Sequence, residues 1–156
     1  MGTWAGRFMV KKTEVRRQVT DAVAACEDKK AENVAILELD QAAGGFTDYF
    51  VICSGSNPRQ IQAISDEVEQ KLSREGLRPT HIEGYKQAEW VLLDYVDFVV
   101  HVFSEKARNF YHLERLWKSA RHMTPSELRT ASSRKRKTSP ALPRAGRART
   151  RRPRRG

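Results

Sequence analysis

The sequence predicts a single α/β domain, a mixed β-sheet of about five strands covered by helices, followed by a basic tail expected to be disordered. Three observations predict it. Helical and strand-length apolar patterns alternate in the order α-β-β-α-β-β-β-α across residues 11–120. Within that span, residues 81–117 (HIEGYKQAEWVLLDYVDFVVHVFSEKARNFYHLERLW) hold two apolar runs joined by a short acidic link, then aromatic and leucine residues at helical spacing. Charge divides sharply: residues 1–120 carry 16 Lys+Arg against 18 Asp+Glu, net −2, and residues 121–156 carry 13 against one, net +12. The body is therefore mildly acidic, and the basic pI belongs to the tail.

Residues 1–10 lack the apolar core of a signal peptide and read as a flexible N-terminal extension. Val15, Val19, Ala22 and Cys26 recur at helical spacing, which predicts a helix from Thr13 to about Lys30. Glu32–Leu39 reads as a strand and Gln41–Phe46, with Gly44-Gly45, as a turn. Tyr49–Ser54 is apolar on both faces, the mark of an interior strand. Asn57 as N-cap and Pro58 at the first helical position open a second helix whose buried stripe is Ile61, Ile64, Val68 and Leu72. Gly76 stands where that helix should stop. Arg78–Glu83 is a short edge strand, limited by Pro79. Trp90–Leu93 and Phe98–Phe103 form a hairpin, and Ser104 caps a last helix with Phe110, Leu113 and Trp117 on one stripe. Beyond Met123 large aliphatic residues are scarce, and the chain there cannot bury enough surface to offset the entropy of ordering it. The division is an extension over 1–10, an α/β domain over 11–120 and a tail over 121–156.

No stretch approaches the roughly 18 apolar residues of a membrane span, so no membrane role is expected. Two cysteines, Cys26 and Cys53, both in apolar patterns, read as buried thiols of a cytoplasmic protein. Gly55-Ser56, between a strand and a helix, has the placement of a nucleotide-phosphate loop, and Asp94 with Asp97 could be its carboxylates. Carboxylates sharing a strand face stand two apart, however, and these stand three apart across a turn. Asp also favours such a turn by bonding its own backbone. His101 has no Cys or acid at metal-ligand spacing and reads as structural. No metal or cofactor is expected. Thr47-Asp48, at a strand entry, reads as a loop tie. Trp90 and Leu92 share one strand face, with Tyr95 in an exposed turn beside them and Lys86 on the approach. Core packing and partner binding are both open for this group. The tail runs Arg134, Lys135, Arg136, Lys137 and Arg151, Arg152, Arg154, Arg155 suit RNA phosphate. The tail lacks aromatic residues for base stacking.

The order Thr47-Asp48, Ser54-Gly55-Ser56, Glu83-Gly84, Ala88-Glu89-Trp90, Leu93-Asp94, Asp97, Val100-His101-Val102 and Leu113 through Trp117 resembles the Iojap/RsfS ribosomal silencing factors. The resemblance covers Thr47–Trp117 densely and leaves the tail outside it. It implies a fold nucleotidyltransferase-like in outline and a non-enzymatic factor. Such a factor docks on ribosomal protein L-fourteen of the large subunit and sterically blocks the small subunit, repressing translation. Organellar relatives act in large-subunit assembly, and self-association to a homodimer is a further implication. Two rivals stand beside this reading: a nucleotidyltransferase-type enzyme, and an assembly factor or general RNA binder working through its tail.

Overall fold

The computed structural model describes residues 3–39 and 47–130, with side chains described from residue 12. The expected turn at 41–46 and the basic runs at 134–137 and 151–155 lie outside the described residues. The chain divides into two compact units, Met1–Pro125 and Ser126–Gly156. In the second, residues 126–130 are helical.

The first unit is built on a six-stranded mixed sheet in the order β3-β4-β5-β2-β1-β6. Its strands are β1 (Glu32–Glu38), β2 (Tyr49–Gly55), β3 (His81–Glu83), β4 (Trp90–Asp94), β5 (Phe98–Ser104) and β6 (Arg121–Met123). β2 and β5 run parallel at the centre, and every other pairing is antiparallel. All seven residues of β2 are buried, as its two-sided apolar pattern requires.

Alternation along the strands gives the sheet two faces. One carries Ile36, Val51, Cys53, Val91, Leu93, Val100 and Val102, all buried. Two helices cover it side by side, α1 (Thr3–Asp28) and α2 (Pro58–Ser73). The Cys26 thiol of α1 meets Cys53 of β2 at 3.8 Å, and that contact together with burial holds it well above the ordinary thiol range. α2 begins as its sequence dictates: the Asn57 side chain accepts from Gln60 N–H, with Pro58 next. It ends at Ser73, and the chain leaves it through Gly76, whose φ of +81° costs glycine little.

The other face carries Leu37, Phe50, Ile52, Val99 and Phe103, packed with Leu39, Ala107, Leu113 and Ala120. Its cover is thinner: α3 (Glu105–Tyr111), α4 (Leu113–Leu116) and the turn that follows. Trp90, Leu92 and Trp117 are only partly buried against this cluster.

Three details differ from the sequence pattern or add to it. α1 already runs from Thr3, through the segment read as an extension. The mixed sheet of about five strands counts six, and the added one, β6, lies just past residue 120. Arg121–Met123 pairs with Ile36–Glu38 as an edge strand, a short segment supported by partner strand rather than by pattern. The last helix is two: Ser104 caps α3 by accepting from Ala107 N–H, but His112 adopts a left-handed conformation (φ 48°, ψ 55°) and resets the register. Phe110 therefore leaves the stripe of Leu113 and Trp117 and stands 78% exposed.

Candidate functional site

The strand-to-helix loop after β2 is closed by its own side chains. Ser56 donates both its backbone N–H and its hydroxyl to Gln60 Oε1, at 2.7 and 2.8 Å. Gln60 Nε2 in turn donates to the carbonyls of Lys29 and Lys30 past the end of α1, at 3.1 and 3.0 Å. The two Ser56 donors beside Gly55 are thus used in a tie between α1 and α2. Asp94 Oδ1 accepts from Val96 N–H at 2.8 Å, so this carboxylate shapes the β4–β5 turn. Among the described residues no three His, Cys, Asp or Glu converge as a metal site.

That turn is strained and tied down. Val96, β-branched, sits at φ 72°. Thr47 Oγ1 donates to Val96 O at 2.7 Å, and Asp48 N–H donates to Asp97 O at 2.9 Å. Asp48 O accepts from Leu39 N–H, so the Thr47-Asp48 pair links β1 to the hairpin tip.

Tyr95 does not line an exposed turn with Trp90, as the sequence reading expected. It is 4% exposed and stacks on Phe98 at 4.9 Å. Residues 91, 93 and 95 point to the α1–α2 face, and 90, 92 and 94 to the other. Burial pushes the Tyr95 phenol up from its ordinary value, helped by the charge of Glu69. The residue exposed at the tip is Val96, at 57%.

Trp90 is partly buried against the apolar cluster of the thinly covered face. Its ring packs on Phe103 (centroids 4.9 Å), Tyr111 (4.8 Å) and His101 (5.9 Å), and its indole N–H donates to His101 Nδ1 at 3.0 Å. The remainder is open, beside a partly buried Leu92. Gly84 seats the approach: at φ +79°, any Cβ there would lie 2.2 Å from the Trp90 carbonyl oxygen. Lys86, next along that loop, is exposed. His101 is buried, and desolvation lowers its pKa from 6.5 to about 3, so it is neutral.

Residues that sequence reasoning missed extend this surface. Tyr111 is 47% exposed and touches Phe110 edge-to-face at 5.0 Å, and Leu116 is 72% exposed. Trp90, Tyr111 and Phe110 form a continuous aromatic run at the thinly covered face. Arg108 holds the helix break that exposes it: Nε and Nη2 both reach Glu114 Oε2, at 3.0 and 2.5 Å, while Nη1 donates to Ser54 Oγ at 2.9 Å. Burial raises the Glu114 carboxyl, but the Arg108 bonds outweigh it and hold the group below its usual value. The missing signal was the break itself, since Arg108 and Glu114 are six apart and would not meet on one continuous helix.

An exposed aromatic run suits a protein that docks on a partner. Comparison with known proteins agrees. The chain is 41% identical over 99 residues to the ribosomal silencing factor RsfS of Bacillus subtilis, covering 64% of this chain and 83% of the relative. It is 43% identical over 99 residues to RsfS of Halalkalibacterium halodurans, covering 64% and 84%. A more distant relative is the mouse "Mitochondrial assembly of ribosomal large subunit protein 1", 26% identical over 98 residues, covering 61% of this chain and 42% of the relative. A crystal structure of a Chromobacterium violaceum protein superposes with a TM-score of 0.63 at 30% identity, covering 65% of this chain and 84% of that one. The family model described as "Ribosomal silencing factor during starvation" matches residues 12–150, and the chain belongs to that RsfS family.

Proposed function

We propose that this protein is a non-enzymatic, cytoplasmic factor that binds the large ribosomal subunit through ribosomal protein L-fourteen. Bound there, it blocks the small subunit from joining and so represses translation. The observation that carries the reading is the aromatic run Trp90–Tyr111–Phe110, exposed on the thinly covered face of a chain of this family. Large aromatic side chains at the rim of a rigid sheet supply contact area at little entropic cost. Leu92, on the same strand face as Trp90, and the exposed Lys86 complete the proposed contact. Tyr95 is buried on the opposite face and supports the hairpin rather than the partner. The mildly acidic body suits a basic partner.

The test uses separated ribosomal subunits. The protein is added before the Mg²⁺ concentration is raised, and the products are resolved on a sucrose gradient. The joined-ribosome peak should fall, and the protein should travel with the large subunit. Travel with the small subunit alone, or an undiminished joined peak at saturating protein, sinks the proposal.

Assembly of the large subunit is the second reading, favoured by the name of the mouse relative. Under it the basic tail would hold ribosomal RNA. Deleting residues 131–156 separates the two, and the cut must fall there because β6 at Arg121–Met123 belongs to the sheet. If the tail neutralises RNA phosphates, the deletion flattens the salt dependence of binding by about 0.7 in slope for each phosphate it had neutralised. The truncated domain should still block joining at higher concentration.

A further inference from the structure

We propose that His101 is a positioning residue for the partner contact: its Nδ1 takes the indole N–H of Trp90, fixing the ring and leaving only its apolar surface for the partner. The inference rests on the reading of Trp90 as a partner contact. Its starting point is a misfit. His101 is a buried polar residue in an aromatic setting, with the Phe50 ring edge-on at 4.7 Å and Phe103 stacked at 6.2 Å. Its bond to Trp90 requires Nδ1 to be the unprotonated nitrogen, so the proton sits on Nε2. Nε2 is buried and finds no protein acceptor among the described residues. An orphaned buried donor is destabilising, and a leucine or phenylalanine at position 101 would avoid it. What histidine adds that those residues lack is an acceptor for Trp90.

The Trp90 ring is only partly buried, so part of it faces out while its N–H is held inward by His101. The internal bond therefore contributes orientation. It holds the indole against Phe103 and Tyr111, with centroids 4.9 and 4.8 Å away, in one pose before any partner arrives. Preorganisation of this kind removes ordering cost from binding. It also defines the receiving surface. Trp90 has one donor, already used, so the partner must meet it with aliphatic side chains, or with the stem and head of a cation over the ring. A hydrogen-bond acceptor there gains nothing.

The test is a double-mutant cycle on the full chain, with purified large ribosomal subunits as the probe. Trp90→Ala should weaken binding most, and Trp90→Phe, which keeps a ring without the donor, should weaken it less. His101→Leu should weaken binding about tenfold, the scale of one hydrogen bond. In the Trp90→Phe background His101→Leu should have no further effect. His101→Asn, which restores an acceptor oxygen, should recover most of the affinity. The indole N–H resonance of Trp90 should exchange slowly in the unsubstituted protein and at the solvent rate in His101→Leu. If Trp90→Ala weakens binding and His101→Leu does not, the positioning role is wrong while the Trp90 contact stands. Equal losses from His101→Leu in both backgrounds also overturn it. If Trp90→Ala binds normally, the contact and the positioning role fall together. Should His101→Leu not fold, the wild-type resonance and His101→Asn decide: an unprotected indole N–H, or tenfold weaker binding by a folded His101→Asn, overturns the role.

Discussion

Acid should destabilise this domain earlier than its carboxylates alone would dictate, and His101 sets the onset. In the folded chain desolvation lowers the His101 pKa from 6.5 to about 3, whereas the unfolded chain keeps the ordinary value. The sign follows from proton linkage: between those two values the unfolded state binds a proton that the folded state excludes. Stability is then whole above 6.5 and falls as pH drops toward 3. The slope approaches about 1.4 kcal/mol per pH unit, and integrating from pH 7 to pH 5 gives a loss of about 2 kcal/mol from this residue alone. That is a large share of the total stability of a small domain, roughly 5–15 kcal/mol. The assay is urea unfolding at pH 7, 6 and 5 for the unsubstituted protein and for His101→Asn, which cannot titrate there. The variant will be less stable at pH 7, but the gap between the two should close by about 2 kcal/mol on going to pH 5. Parallel pH curves would mean that the ring accepts its proton in place, and the desolvation argument would fail.

Three further outcomes follow from individual side chains. Glu114→Gln should cost about 1–3 kcal/mol, because it leaves the mostly buried Arg108 guanidinium without its charged partner. For unsubstituted Glu114, whose folded value is depressed, the pair's contribution is full above 4.5 and lost as pH falls below it, so the Glu114→Gln penalty should shrink there in thermal melts. Val96→Asn should stabilise by about 1 kcal/mol, since asparagine tolerates φ 72° and valine at 57% exposure buries little, and a lower melting temperature would contradict the strain reading. Phe110→Ser, at a side chain 78% exposed, should move stability by no more than about 0.5 kcal/mol yet weaken large-subunit binding, while unchanged affinity would remove Phe110 from the interface.

How far this molecule can be read from its sequence depends on whether the deciding force is local. The central strands were legible because burial on both faces writes a continuous apolar run, as in Tyr49–Ser54 and Phe98–Phe103. The start of α2 was legible because Asn57 and Pro58 act on their own neighbours. β6 was not, because Arg121–Met123 has no strand pattern and extends only because Ile36–Glu38 offers an open edge. The break at His112 was hidden for a similar reason. Nothing in Tyr111-His112-Leu113 forbids a helix; the turn is held by Arg108 reaching both Glu114 and Ser54, the latter 54 residues away.

Tyr95 is a different kind of miss, and a more instructive one for the candidate site. Strand parity already placed Val91 and Leu93 opposite Trp90 and Leu92, and one more step of the same count places Tyr95 with Val91 and Leu93. Treating residue 95 as turn rather than strand discarded that count. The backbone does turn there, but the bond from Tyr95 N–H to Phe98 O keeps the pleat one residue beyond the strand end. The phenol therefore enters the α2 side, and the exposed tip passes to Val96. With Tyr95 withdrawn, the exposed aromatic neighbour of Trp90 comes from the broken helix, in Tyr111, which in turn touches Phe110. A local parity rule and a long-range arginine clamp thus decide together which aromatic residues are exposed. Disrupting the clamp should then weaken large-subunit binding even though neither Arg108 nor Glu114 belongs to the proposed contact. Glu114→Gln measured at a temperature where the domain remains folded gives that result or refutes it. Unchanged affinity would show that Phe110 and Tyr111 hold their places without Arg108.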